Sequence, residues 1–187
     1  MKVSREQAAQ NRQTVVDTAS RLFRENGLSG VGINEIMHQS GLTHGGFYAQ
    51  FASKETLAAE ACASALRQSL VRWERIAVKH AEDAVAALAA DYLSKRNRDA
   101  PATGCALVAL GADAARLQGP ISDAFQEGLL SLVGVLERAA PQLGRDRALA
   151  AVSQMVGAMV LARAVSDKDL SDAILAAASK ALQCGLR

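Results

Sequence analysis

The segment between residues 40 and 55 concentrates side chains that can recognise a nucleic acid. His44 and Tyr48 can hydrogen-bond to bases or phosphates, and the pair Gly45-Gly46 lies between them. Glycine lowers helix stability by about 1 kcal/mol relative to alanine. A short helix here is therefore only marginally stable, but no side chain covers its backbone at the two glycines. A bare, close-fitting surface is typical of the helix that a helix-turn-helix unit places in the DNA major groove. The pattern therefore predicts contact with DNA.

The residues before this segment predict two supporting helices. Ser4 and Gln7 form a capping pattern, and the helix that follows would end at the stop signal Asn26-Gly27. A second short helix is predicted over residues 33–39, and Thr43 would cap the third. The residues expected to close a small three-helix core are Leu42, Phe47 and Phe51.

Together these segments resemble the DNA-binding domain of the TetR/AcrR family of transcriptional regulators. The similarity covers about the first third of the chain and lies in LFRENG (22–27), INEI (33–36), GLTHGGFYAQF (41–51) and SKETL (53–57). Gln50 departs from the pattern, because many members carry His there. The resemblance implies homodimers that bind operator DNA and whose C-terminal helices pair as a four-helix bundle.

Eight residues are expected to contact DNA, because they lie on the outer face of the unit or near a helix N-terminus. They are Thr43, His44, Gly45, Tyr48, Gln50, Lys54, Asn34 and Arg5. Bulk charge does not add to this argument, since residues 1–60 hold six Lys or Arg and six Asp or Glu. The alternative is that His44 is an ordinary solvated residue and that the Tyr48 ring packs on the small core.

The remaining sequence predicts helices throughout. Half of the 187 residues are hydrophobic, three are prolines, and no run alternates β-branched residues. Helices are predicted over residues 54–80, 83–97, 105–117, 120–140, 145–165 and 169–182. We therefore expect an all-α protein with a helix-turn-helix domain over residues 1–52 and a domain for effector binding and dimerisation over residues 53–187. One continuous helix starting at Lys54 would join them.

No apolar stretch is long enough to span a bilayer, and no signal peptide opens the chain. We expect a cytoplasmic protein without a membrane partner.

Two predicted helices, 120–140 and 145–165, are apolar around much of their circumference. Such a helix is buried on more than one side, and we expect a second subunit to cover one of them. A monomer with a thick core is the alternative. The residues expected at the dimer interface are Leu129, Val133, Leu136, Val152, Met155, Val156 and Met159.

An effector pocket is expected among the helices 54–80, 83–97 and 105–117. Its predicted lining consists of Leu66, Leu70, Trp73, Cys105, Leu107 and Leu110. Few charges interrupt these faces, so the effector is expected to be small and largely apolar. In the alternative, Cys105 is a redox or electrophile sensor, because a neighbouring helix N-terminus stabilises a thiolate.

Catalytic chemistry has no support in the sequence. The three histidines lie in separate predicted helices, and the three cysteines fit neither a zinc spacing nor a disulfide pattern. We therefore expect no enzymatic activity, no cofactor and no metal. The resulting hypothesis is a homodimeric repressor that a small effector releases from a palindromic operator. A helical adaptor that does not bind DNA is an alternative of a different class.

Overall fold

The computed structural model describes residues 4–185, and all regular secondary structure in that range is helical, as predicted. The α-helices are α1 (Arg5–Asn26), α2 (Ile33–Gln39), α3 (Lys54–Lys79), α4 (Ala84–Tyr92), α5 (Lys95–Asp99), α6 (Ala106–Leu117), α7 (Pro120–Ala139), α8 (Gly144–Ala164) and α9 (Lys168–Gly185). Short 3₁₀ turns precede α4, α6 and α8, and another lies between α2 and α3. Within the described range, no helix is both long enough and apolar enough to cross a membrane.

Helix α1 begins and ends where its capping residues require. The Ser4 hydroxyl accepts the Gln7 N–H at 3.1 Å, which confirms the predicted N-cap. The Gln7 side chain does not reach back; its Nε2 donates to Asn11 at 2.9 Å, so only half of the predicted capping box forms. At the other end, Gly27 has a φ of 72°, which favours glycine, and donates its N–H to the Phe23 carbonyl.

The predicted third helix is in fact a 3₁₀ turn, His44–Gly46, followed by further turns. The Gly46 N–H reaches the Thr43 carbonyl at 3.0 Å, and the Phe51 N–H reaches the Phe47 carbonyl at 2.9 Å. The Thr43 side chain makes no capping bond. The prediction of a helix is wrong here because two glycines raise the entropy lost on ordering, and so short a segment cannot offset the cost of nucleation. Phe47 and Phe51 are buried, as predicted.

Helix α3 runs unbroken for 26 residues, as predicted, and the Ser53 hydroxyl caps it by accepting the Thr56 N–H at 3.2 Å. The single helix predicted over residues 83–97 is instead divided into α4 and α5. The division occurs at Ser94, which has an extended backbone and accepts the Asn97 N–H at 3.2 Å. A side chain that caps one helix in this way ends the preceding one.

The apolar helices α7 and α8 are covered mainly by their own chain. Val133, Leu136, Val152, Met155 and Met159 are at most 1% exposed, so a second subunit cannot touch them. The prediction that these five form a dimer interface is wrong, because their contacts lie in the core of a single chain. Two other predicted interface residues, Leu129 and Val156, are only partly buried.

Helices α3 and α7 pack closely where Gly128 faces Leu66. A Cβ at Gly128 would lie 2.7 Å from the Leu66 Cβ, which is too close for two carbon atoms. Gly128→Ala should therefore lower the free energy of unfolding by about 1–3 kcal/mol, the usual cost of overpacking.

The test is urea unfolding, with Gln126→Ala on the exposed side of α7 as the control. The control should change stability by less than about 0.5 kcal/mol. Equal stability of Gly128→Ala and the parent would contradict the close packing of the two helices.

Candidate functional site

Five of the residues predicted to contact DNA are exposed, and together they are here called the DNA face: Asn34, Thr43, His44, Gly45 and Tyr48. Tyr48 is 65% exposed, and its ring stands edge-on to Phe47 at 5.1 Å and to His44 at 6.1 Å. The buried Phe47 ring therefore holds the Tyr48 ring while leaving its hydroxyl in solvent.

Gly45 of the DNA face and the adjacent Gly46 differ in their surroundings. A Cβ at Gly45 would meet no atom within 4 Å, and a Cβ at Gly46 would meet the Met37 methyl at an ordinary 3.6 Å. Neither glycine is thus needed to relieve crowding inside the chain. The bare backbone of Gly45 faces outward, where it allows another molecule to approach closely.

Two other predicted DNA contacts have roles inside the protein. Gln50 is partly buried and donates from Nε2 to the Gly46 carbonyl at 3.2 Å, which supports the turn. Lys54 donates from Nζ to the Leu28 carbonyl at 2.6 Å. Because an ammonium has three N–H donors, Lys54 keeps two for a further partner.

Most other cations of the N-terminal unit are also engaged. Arg12 binds Glu60 through two bonds of 2.6 Å and lies 4.6 Å from the centre of the Phe51 ring. Arg21 pairs with Glu25 at 3.1 Å. Arg5, the eighth predicted DNA contact, is exposed.

The N-terminal unit is tied to the rest of the chain by polar contacts that the sequence does not predict. Arg24 in α1 is only 8% exposed, and it donates from Nη1 to the Gly104 carbonyl at 2.9 Å. Its Nε donates to the Ser20 carbonyl, also at 2.9 Å. In α6, the Asp113 carboxylate accepts the Leu28 N–H at 3.1 Å.

Arg24 also lines a cavity of about 180 Å³, here called the inner cavity. Its walls come from α1, α3, α4, α5 and the segment before α6. The lining residues are Arg24, Gln68, Ser69, Arg72, Trp73, Asp91, Tyr92, Asn97, Thr103 and Cys105. The cavity is therefore much more polar than the pocket predicted from the sequence.

Only Trp73 and Cys105 of the predicted pocket residues line the inner cavity. Leu66 and Leu70 border a separate hollow of about 60 Å³ against α7. Leu107 and Leu110 are buried in the hydrophobic core. The predicted set is not brought together because these leucines are used to pack α3 and α6 against their neighbours.

Tyr92 presents an unsatisfied polar group to the inner cavity. Its hydroxyl is buried and has no hydrogen-bond partner among the described residues. Burial raises the pKa of the Tyr92 phenol well above its usual value, so the hydroxyl keeps its proton. The ring is fixed edge-on to Trp73, with 5.8 Å between the ring centres.

Cys105 is buried beside Tyr92, as the N-cap residue of α6. The sequence suggests that the helix N-terminus stabilises a thiolate. The structure shows the opposite balance, since burial raises the pKa of the Cys105 thiol despite nearby hydrogen-bond donors. Burial also raises the pKa of Cys62, to about 12. Both cysteines are therefore thiols at neutral pH.

A metal site is not evident in the described part of the chain, where no three His, Cys, Asp or Glu side chains are grouped suitably.

Comparison with known proteins supports the DNA-binding assignment of the N-terminal unit. Residues 15–61 match the family model described as bacterial regulatory proteins, tetR family. A search of curated protein sequences gave no significant match.

Solved structures share the fold over almost the whole chain. A TetR transcriptional regulator from Chloroflexus aurantiacus J-10-FL has a TM-score of 0.78 and 22% identity, covering 95% of this chain and 96% of that one. NemR from E. coli, in its reduced form, has a TM-score of 0.76 and 19% identity, covering 91% and 97%. FadR from Bacillus subtilis, in complex with stearoyl-CoA, has a TM-score of 0.64 and 16% identity, covering 94% and 99%.

The sequence match covers the turn that carries the DNA face, and the fold extends the similarity through the C-terminal helices. The N-terminal unit therefore matches the tetR family of bacterial regulatory proteins over residues 15–61, and the chain has the fold of a solved TetR transcriptional regulator.

Proposed function

We propose that the protein is a homodimeric repressor that binds a palindromic operator and releases it when a small effector enters the inner cavity. The observation that carries this proposal is the position of Arg24. It belongs to α1 of the DNA-binding unit, yet it lines the cavity and binds the Gly104 carbonyl. A ligand in the cavity therefore touches the same residue that fixes the DNA-binding unit in place.

DNA recognition is assigned to the DNA face and to Arg5. His44 is the side chain suited to reading a base edge, whereas the Tyr48 hydroxyl and Arg5 are suited to phosphates. The backbone at Gly45 allows the turn to lie close to the groove. A regulator of this kind acts where the DNA is, and we place it in the cytoplasm.

Dimerisation is assigned to an exposed face of α8, made of Ser153, Gly157, Val160, Leu161 and Ala164. These residues recur at helical spacing, and Val160 and Leu161 are 43% and 57% exposed. Gly157 is informative because a Cβ there would meet no atom of its own chain, although glycine costs about 1 kcal/mol in a helix. Close approach of a second subunit explains that choice of residue.

The two sites communicate through the orientation of α1. An effector shifts the protein towards one orientation only if it binds that orientation more tightly. Two-fold DNA binding requires the two DNA faces to match successive major grooves, about 34–36 Å apart. A change in the angle of α1 in each subunit alters that separation and weakens operator binding.

A thiol sensor at Cys105 is the second candidate, and its support is that Cys105 lines the inner cavity. One similar structure is of NemR in its reduced form. The raised pKa of the thiol argues against it, because the reactive species is the thiolate.

Substitutions on the DNA face should separate base contacts from phosphate contacts. We expect Tyr48→Phe to weaken binding to all operator variants alike, and His44→Ala to change which variants are preferred. Arg5→Ala should make the dependence of log affinity on log salt shallower by roughly 0.9. The measurement is a gel shift over a range of salt concentrations.

Lys79→Ala is the control, since Lys79 ends α3, roughly 40 Å from its start. Unchanged affinity and salt dependence in both Tyr48→Phe and Arg5→Ala would exclude the assigned DNA face.

A charge on the α8 face should separate the subunits. We expect Leu161→Glu to convert the dimer to a monomer, because a buried unpaired charge costs several kcal/mol. Sedimentation velocity measures the mass, and operator affinity should fall with it. Val71→Glu is the matched control, since Val71 is 66% exposed on α3. A dimer that survives Leu161→Glu as well as Val71→Glu would place the interface elsewhere.

The reactivity of Cys105 distinguishes the two candidate functions. With a raised pKa, less thiolate is present at neutral pH than for a free cysteine, so N-ethylmaleimide should label folded Cys105 slowly and faster as pH rises. Mass spectrometry of the labelled protein gives the rate, with urea-unfolded protein as the reference. Rapid labelling at neutral pH that releases the operator, and that is lost in Cys105→Ser, would establish the thiol sensor instead.

A further inference from the structure

The inner cavity is lined by a buried guanidinium, Arg24, whose acidic neighbour Glu25 pairs instead with Arg21 at 3.1 Å. Arg24 donates to two neutral carbonyls, of Ser20 and Gly104, and forms no ion pair within residues 4–185. Burial lowers the pKa of its guanidinium, as expected for a charge removed from water. Such a group is stabilised by any anion that reaches it.

The acidic residue of the lining does not supply that anion. Asp91 accepts from Arg72 at 2.6 Å and from Arg96 at 3.0 Å, and both bonds are to the same oxygen. With Arg24 and Arg72 positive and Asp91 negative, the cavity lining carries one net positive charge. A monoanion would balance it.

The Tyr92 hydroxyl provides a second, independent indication of a ligand. It is a buried O–H that keeps its proton and makes no geometric hydrogen bond within the described residues, with only the weakly accepting sulfur of Cys105 identified beside it. A buried donor left unpaired is unfavourable, and a ligand oxygen in the cavity would satisfy it. Arg24 of α1 and Tyr92 of α4 both line the cavity and both carry donors that a ligand in it can use.

The size and walls of the cavity limit what the anion can be. An apolar cavity of about 150 Å³ holds one benzene ring, so about 180 Å³ accommodates a single ring with one small substituent. The indole of Trp73 supplies an apolar wall for that ring. The space is too small for a long acyl chain.

The approach to the cavity is also basic. An outer groove of about 630 Å³ shares Arg72 and Asp91 with the inner cavity. Its other lining residues are Arg75, Ile76, Lys79, His80, Ala87 and Arg96. Four Lys or Arg against one Asp raise the local concentration of anions, and the Arg72–Asp91 pair lies between groove and cavity.

We propose that the inner cavity binds a small organic monoanion, a carboxylate attached to a single ring, with its oxygens between Arg24 and Tyr92. The ligand enters from the outer groove past the Arg72–Asp91 pair. This assignment rests on the proposed function only in treating the cavity as the effector site. It replaces the largely apolar effector expected from the sequence with a charged one.

Trp73 makes the test direct, because it is the sole tryptophan of the chain and lines the cavity. The probes are benzoate, its uncharged analogue benzamide, and acetate, which lacks the ring. Benzoate should change the Trp73 fluorescence saturably, and benzamide and acetate should bind at least tenfold more weakly. A hydrogen bond to a charged group corresponds to roughly a tenfold step or more in affinity.

Two variants locate the binding. Tyr92→Phe keeps the ring and should weaken benzoate binding about tenfold, and Arg24→Gln should weaken it further. Arg116→Gln, at an exposed position of α6, is the control and should bind benzoate like the parent. Thermal melting of each variant shows whether the fold is kept, and Tyr92→Phe decides the result if Arg24→Gln does not fold.

The proposal would be overturned if the parent bound benzoate and benzamide with equal affinity. It would also be overturned if Tyr92→Phe bound benzoate as tightly as the parent. The absence of any saturable response of the parent to benzoate would overturn it as well. These results leave operator binding untouched, so a gel shift on the same parent protein tests the proposed function separately.

Discussion

The hydrogen bonds of Arg24 fix the DNA-binding unit against the rest of the helical fold. Arg24 lies in the last turn of α1 and so belongs to the DNA-binding unit. Its guanidinium, however, is bonded to the segment that leads into α6. Burying a guanidinium among neutral carbonyls is tolerated only when its donors are well placed. The Asp113–Leu28 bond and the Arg12–Glu60 pair fix the same unit from two further helices. The DNA-binding unit is thus one surface of the whole helical fold rather than a separate module on a flexible linker.

Sequence patterns predicted local structure well wherever one side chain decides it. Ser4 caps α1 because its hydroxyl reaches a backbone donor three residues ahead. The patterns failed where two local tendencies compete. Helical periodicity continued across Ser94, but the hydroxyl there caps a new helix. The glycines before Phe47 likewise reduced a predicted helix to a 3₁₀ turn.

The sites were harder to predict because they depend on contacts that are remote in sequence. An apolar helix such as α8 gives the same pattern whether its own chain or a second subunit covers it, so Met155 and Met159 were assigned to the wrong contact. At the inner cavity, Arg24 contacts a loop 80 residues away. The spacing of apolar residues along the sequence does not predict such a contact. For Cys105, the helix N-terminus was visible in the sequence, whereas the burial that dominates the pKa of its thiol was not.

Under the proposed function, the hydrogen bonds of Arg24 also determine the direction of coupling between effector and DNA. Its Nε and Nη1 are bonded to carbonyls, and within the described residues Nη2 has no partner. An anion in the inner cavity therefore adds to the contacts that hold α1 in place and does not have to break them. By linkage, a ligand that binds in this way stabilises the orientation of α1 described here. If the same ligand releases the operator, this orientation is the released one, and DNA must select a different orientation of α1.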